Sequence, residues 1–185
     1  LVGSEMCIRD SAHAASLGPV RAVVDVHGGP ASGGRIVNRD GEPLDMDGFE
    51  TTLRFYLTAV FDVMRQAAAT MQTNEPDANG VRGAIVVTSS IAAFEGQIGQ
   101  LPYAAAKGGV ASMVLVAARD LAASGIRVVG VAPGTFLTPA YGPMAEQVAE
   151  HWAGQVPFPA RMGEPEEYAA LVEHLSLIHI SEPTR

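Results

Sequence analysis

Cysteine, lysine and tryptophan occur once each among 185 residues, and aromatic side chains account for only 6% of the chain. A single cysteine, Cys7, excludes an intrachain disulfide, a paired-thiol redox site and a Cys-ligated zinc centre, and no metal is expected. No uninterrupted apolar run reaches the ~18 residues of a membrane-crossing helix, so no membrane partner is expected. Acidic residues outnumber basic ones by 20 to 12, the formal net charge is −8, and the basic residues form no cluster. That balance argues against nucleic acid as a partner. Internal repeats are absent. No G-x-G-x-x-G turn precedes the first strand-like run.

The two ends differ in character from everything between them. Residues 1–11 read LVGSEMCIRDS and residues 175–185 read LSLIHISEPTR. The genetic code links them. Codons for the first segment can be chosen so that the opposite strand, read in frame, specifies the second. One DNA of the kind used as a transposon-type sequencing-library adaptor accounts for both. The expectation is that 1–11 and 175–185 are adaptor translation and that 12–174 is the central part of a single domain. Without the ends Cys7 disappears and the net charge becomes −7, because Glu5, Arg9 and Asp10 sum to −1 while Glu182 and Arg185 cancel.

The informative stretch lies in the middle. Ala84-Ile85-Val86-Val87-Thr88 is an apolar, β-branched run that reads as a buried parallel strand. Ser90 follows at its carboxyl end, the edge where open α/β sheets bind ligands. Beyond it comes Ala- and Val-rich sequence, with Pro102 suited to the first turn of a helix. On that helix Tyr103 and Lys107 stand four apart and share one face. A hydroxyl, a phenol and an ammonium then converge on one crevice.

A phenol, with a pKa near ~10, is a poor base at neutral pH. A nearby ammonium favours the phenolate and moves it towards a useful acid/base range. A serine hydroxyl can donate to a developing alkoxide or carbonyl oxygen. Tyr-x-x-x-Lys alone is a weak signal, and a core tyrosine beside a surface lysine is the other reading. Three features sharpen it: the serine thirteen positions before the tyrosine, the strand-to-helix junction, and the use of lysine only here, since every other Lys/Arg position is arginine. A compact, rotatable ammonium differs from a planar guanidinium in what it can fit beside.

These residues, together with NEPDANGVRGAIVVTSSIAAFEGQIGQLPYAAAKGG, ARDLAASGIRV, APGTFLTP and QVPFPARMGEPEEYAALV, resemble the short-chain dehydrogenase/reductases. Within that family the resemblance is to the type-2 3-hydroxyacyl-CoA dehydrogenases, over most of residues 20–174. It implies an α/β fold: a Rossmann-like, doubly wound parallel sheet, here without its first βαβ unit and last strand. It implies oxidation of 3-hydroxyacyl-CoA to 3-ketoacyl-CoA with NAD as cofactor. NADP is the alternative, because the residue that reads the ribose lies upstream of these stretches.

By the same resemblance Ser90, Tyr103 and Lys107 match the catalytic serine, tyrosine and lysine. Ser90 and Gln97 match substrate contacts. Val26, Gly28, Tyr103, Lys107, Pro133, Gly134, Phe136 and Thr138 match cofactor contacts. The implied partners are a small acyl-CoA-like substrate and further copies of the chain, a tetramer being the family's pattern; the expected location is cytoplasmic. Competing readings are a 3-oxoacyl carrier-protein reductase, a hydroxysteroid dehydrogenase, or a catalytically silent binding or assembly subunit. Two departures prompt the last. Tyr56 stands where the family has an asparagine that orders a water relay behind the lysine. Asp25-Val26-His27-Gly28 replaces an Asn-Asn-Ala-Gly-like turn, with His27 read as a substituted loop residue.

Taken in order, the rest of the chain predicts a helix end at 16–19 and a parallel strand over 21–26. A Gly- and Asn-rich loop runs from 28 to 45, where Gly28-Gly29 permits either close approach to a cofactor or a tight turn. A helix is expected from Asp47 to about Met71, capped by Asp45 or Asp47. After a polar loop and the central motif, the second long helix ends at Ser124-Gly125. Its Gly108 and Gly109 weaken a helix and make sense if its backbone approaches another surface. A strand over 126–131, a Pro-Gly loop over 133–139, a mobile cover over 141–159 and a short helix over 164–175 complete the reading. Trp152 and Phe158 either line an acyl site or pack.

Overall fold

A computed structural model describes residues 12–28 and 31–178. They fall into two compact units, one ending at Ala132 and one spanning Pro133–Ile178. In the first, β1 (Ala22–Asp25), β2 (Gly83–Thr88) and β3 (Ile126–Val131) pair in parallel in the order β1-β2-β3. Parallel neighbours need crossover connections, and helices supply them. Between β1 and β2, α1 (Met46–Leu53), a π-helical turn (Arg54–Thr58) and α2 (Ala59–Met71) follow without a break. Between β2 and β3 lie a 3-10 turn (Ile91–Ala93) and α3 (Leu101–Ala122). This is the expected Rossmann-like α/β layering.

Side-chain alternation decides what faces the helices. Val23, Ile85 and Val128 are in register across the sheet, and two residues on, Asp25, Val87 and Gly130 form the next row of that face. Val60, Met64, Ala67 and Met71 of α2, spaced as an apolar stripe should be, pack with Val110 of α3 onto Ile85, Val87, Ile126 and Val128. Full burial of such side chains contributes about 1.5–3 kcal/mol each. Gly130 admits α3: a Cβ there would lie 2.7 Å from Val114 Cγ2.

Local chemistry sets the element ends. Asp45, not Asp47, caps α1, its Oδ2 accepting from the Gly48 N–H at 2.7 Å. The strand expected over 21–26 is shorter, since pairing begins at Ala22 and stops at Asp25. α3 ends at Ala122 rather than 124–125, and Gly125 then turns the chain into β3 with φ +67°. The 28–45 loop has no period because it is built from turns and single bridges, Gly34 to Gln100 and Val37 to Pro43. Gly29, part of the expected close approach, lies outside the described residues. Among the described residues, α3 is the helix long and apolar enough to cross a membrane. Ala106, Lys107 and Val110 are buried, Val110 in the core with β2 and β3, while Val116 is exposed.

The second unit holds a 3-10 turn (Pro139–Met144), α4 (Ala145–Ala153) and α5 (Pro165–Leu177). The segment expected as a cover over 141–159 is therefore partly helical. Phe136 sets its edge against Tyr168 at 5.9 Å and fills the space left by Gly163, where a Cβ would meet Phe136 Cε1 at 2.6 Å. Arg161 grips Glu167 through two 2.8 Å hydrogen bonds, and the Glu164–Glu167 capping box starts α5. Of the expected adaptor stretches, residues 175–177 continue α5, while 1–11 and 179–185 lie outside the described residues.

Candidate active site

Lys107 is a buried lysine at the centre of the first unit. Gly109 lets α3 close on the π-helical turn, since a Cβ there would stand 2.8 Å from Leu57 Cδ1. That approach, the one Gly108-Gly109 foretold, leaves Lys107 only 2% exposed. Its ammonium donates to the Thr88 carbonyl at 2.8 Å, at the carboxyl end of β2. It also lies 5.2 Å from the centroid of Tyr56 and 5.8 Å from that of Tyr103. The two tyrosines meet edge to face with centroids 5.0 Å apart. Burial pulls Lys107 from 10.5 down to about 8, and the Asp25 carboxylate opposes the fall.

Asp25 is a buried carboxylate on the helix-facing row, 6% exposed. Its Oδ1 accepts from the His27 N–H at 2.7 Å, while Oδ2 is buried with no hydrogen-bond partner. Its backbone carbonyl accepts from the Thr88 hydroxyl at 2.6 Å. Thr88 thus joins the end of β1, through its side chain, to Lys107, through its carbonyl. An uncompensated buried anion is costly, and a nearby ammonium is what offsets it. The His27 ring meets Phe55 at a tilt of 39° with centroids 5.1 Å apart, so this loop residue packs against the π-helical turn.

Ser90 stands where the sequence puts it, two residues beyond β2 and nearly buried. Its Oγ accepts from the Ala92 N–H at 3.1 Å, which leaves its proton to donate elsewhere. Ser89 donates to the Lys107 carbonyl at 2.8 Å and so ties this segment to α3. Gln97, Val26 and Gly28 are exposed. Pro133, Gly134, Phe136 and Thr138 belong to the second unit, where the Phe136 ring is engaged with Tyr168. Among the described residues no three His, Cys, Asp or Glu side chains group as metal ligands.

Sequence reasoning missed three members of the site. Tyr56 was visible only as a departure, yet counting back four from Val60 and Met64 puts it on the buried face of its helix. Asp25 shares the face of Val23 by the two-residue period of a strand, which marks a carboxylate aimed at the core. The Thr88 carbonyl carries no sequence signal.

A phenol, a serine hydroxyl and a buried ammonium thus stand at the carboxyl edge of a parallel sheet. Residues 12–149 match the family described as short chain dehydrogenase, and the chain belongs to that family of oxidoreductases. It is similar to the 3-hydroxyacyl-CoA dehydrogenase type-2 of Mus musculus, 50% identical over 128 residues that cover 69% of this chain and 49% of the relative. The Homo sapiens protein of that name is 48% identical over 135 residues, 73% of this chain and 52% of the relative. The crystal structure of 3-hydroxyacyl-CoA dehydrogenase type-2 from Mycobacterium avium superposes with a TM-score of 0.93 at 43% identity, covering 98% of this chain and 71% of that one. The chain spans about half the length of the curated relatives it matches.

Proposed function

We propose that the complete protein containing this chain oxidises a 3-hydroxyacyl-CoA to the 3-ketoacyl-CoA with NAD as cofactor. The observation that carries the reading is Lys107, held at the end of β2 beside Tyr103 and adjoining the Ser90 segment. Tyr103 takes the proton of the substrate hydroxyl. Ser90 donates a hydrogen bond to the same oxygen as it becomes a carbonyl. Lys107 keeps positive charge near the phenol while the proton moves and reaches towards the cofactor ribose. The names of the relatives support the substrate class.

The residues fit the cofactor in chemistry. Val26 and Gly28 expose backbone at the carboxyl edge of β1, and a Cβ on Gly28 would meet nothing nearer than 4.0 Å. A flat dinucleotide can approach such a surface closely. Within the first unit, Val26, Gly28, Tyr103 and Lys107 are the proposed holders. When bound, the cofactor supplies the hydride acceptor. Around Gln97, Phe94 and Ile98 are 73% and 81% exposed, an apolar surface suited to an acyl chain. Phe61 of α2 and Leu115 and Val116 of α3 are likewise exposed, which supports association of copies of the chain.

Tyr103→Phe in the complete reading frame tests the mechanism. It keeps the ring and its packing but removes the ionisable oxygen, so turnover should fall at least ~100-fold with an unchanged circular dichroism spectrum. Near-normal turnover in a folded Tyr103→Phe enzyme ends the mechanism.

A further inference from the structure

Lys107 has three N–H donors to place in a site almost closed to water, and a buried ammonium is stable only where its surroundings replace its hydration. The Thr88 carbonyl takes one donor at 2.8 Å. The ring of Tyr56, 6% exposed, then stands 5.2 Å from the nitrogen, and the ring of Tyr103 stands 5.8 Å away. Both distances are within the ~6 Å over which an aromatic face attracts a cation. The edge-to-face contact of the two rings fixes them against each other. Tyr56 sits within the π-helical turn Arg54–Thr58, a backbone form that recurs at functional sites.

We infer that Tyr56 is a positioning residue, whose aromatic face holds the Lys107 ammonium against Tyr103. The inference rests on the dehydrogenase reading for its purpose, but its geometry does not. The groups acting on Lys107 are the Thr88 carbonyl at the end of β2, Tyr103 from its own helix, Tyr56 from the π-helical turn and Asp25 from the end of β1, with His27 packed at a tilt on Phe55, one residue from Tyr56. Asp25 supplies negative charge. Tyr56 supplies polarisable surface without a second carboxylate, so the ammonium is confined and yet not neutralised by a close ion pair. A face-on ring also leaves the ammonium on the Tyr103 side of the pocket, where the phenol needs it.

The test uses the chain's one lysine. In the full 185-residue chain labelled with ¹³C-lysine, the Cε–Hε signal belongs to Lys107 alone. The unmutated chain should show an upfield ring-current displacement of Hε, a nuclear Overhauser contact from Hε to the Tyr56 ring, and a titration midpoint far below 10.5. Tyr56→Phe keeps the aromatic face and should keep all of these readouts. Tyr56→Leu keeps apolar packing without the face, so the Hε displacement should shrink and the midpoint should fall by a further ~0.5 to 1.5. Two outcomes overturn the inference. One is an unmutated chain whose Hε has no contact with Tyr56 or a random-coil position, which needs no variant to fold. The other is a folded Tyr56→Leu chain with the unmutated Lys107 signal and midpoint. Failure of the dehydrogenase reading would appear separately, as normal turnover in Tyr103→Phe, and would leave the Lys107 signal where it is.

Discussion

Lys107→Met should change how the stability of this protein depends on pH. Lys107 titrates at about 8 when folded and at 10.5 when free of its surroundings. Its folded-state pKa is lowered, so below 8 the unfolded chain holds the proton more tightly and folding is disfavoured. Each pH unit of the gap is worth about 1.4 kcal/mol, which makes the full effect roughly 3 kcal/mol at neutral pH. As pH rises from 8 to 10.5 the folded state sheds the proton first, and stability is gained. Between pH 7 and pH 10 the native chain should gain about 2.5 kcal/mol relative to Lys107→Met.

The comparison with methionine isolates that term. Met has a similar reach and no charge. Its absolute stability also reflects a Thr88 carbonyl without its donor and an Asp25 carboxylate without its counter-charge, so the sign of the difference at one pH decides little. The slope between pH 7 and pH 10 does, because the substitution removes the titrating ammonium itself. Urea unfolding from pH 7 to pH 10 measures it; with m-values of about 1–3 kcal/mol per molar, the difference between the two midpoints should change by roughly 0.8–2.5 M across the range. Parallel profiles would refute the claim that Lys107 is a desolvated ammonium in the folded protein.

Two further substitutions test the scaffold. Gly125→Ala forces a side chain onto a backbone at φ +67° and places a Cβ 2.2 Å from the Gly80 carbonyl; a loss of about 1–3 kcal/mol in urea unfolding is expected, and a neutral outcome would refute this account of the turn. Asp45→Ala removes the acceptor of the 2.7 Å bond from the Gly48 N–H and should cost about 1 kcal/mol, with Asp47→Ala costing less; the reverse order would return the cap to Asp47.

The parts of the fold that could be read from sequence are those with a strong period or a strong local rule. β2 and β3 are short β-branched runs bounded by glycine and turn residues, and α3 opens on proline. The pair Gly108-Gly109 announced a close approach, though not that Leu57 would be the neighbour. The boundaries that moved did so for tertiary reasons. β1 stops at Asp25 because its pairing with β2 ends there. The long first helix is interrupted by a π-helical turn, which no propensity in Arg54-Phe55-Tyr56-Leu57-Thr58 announces. At the site, Ser90, Tyr103 and Lys107 were legible because their spacing reflects a strand end and one helical turn. Tyr56 and Asp25 come from distant segments, and only the crossing of α3 over the π-helical turn and the sheet edge brings them to the lysine.

A buried lysine that weakens the fold at neutral pH calls for a reason at its own position, since methionine would fill the same path without desolvation. Arginine serves wherever else the chain uses Lys or Arg, so lysine here follows from the local space. The Thr88 carbonyl accepts one hydrogen bond, the Tyr56 and Tyr103 rings stand 5.2 and 5.8 Å from the nitrogen, and the Gly109–Leu57 contact brings α3 down onto its neighbour. A planar guanidinium would bring five donors and a larger, rigid group to that closed space, whereas a single ammonium can donate to the Thr88 carbonyl and lay charge against the rings. Strongly perturbed ionisable groups cluster at working sites because a shifted charge is useful there. In the mechanism proposed above the use lies one turn away, at Tyr103: an ammonium still largely charged at pH 7, but poised near 8, stands 5.8 Å from that ring without the anchoring of a full ion pair.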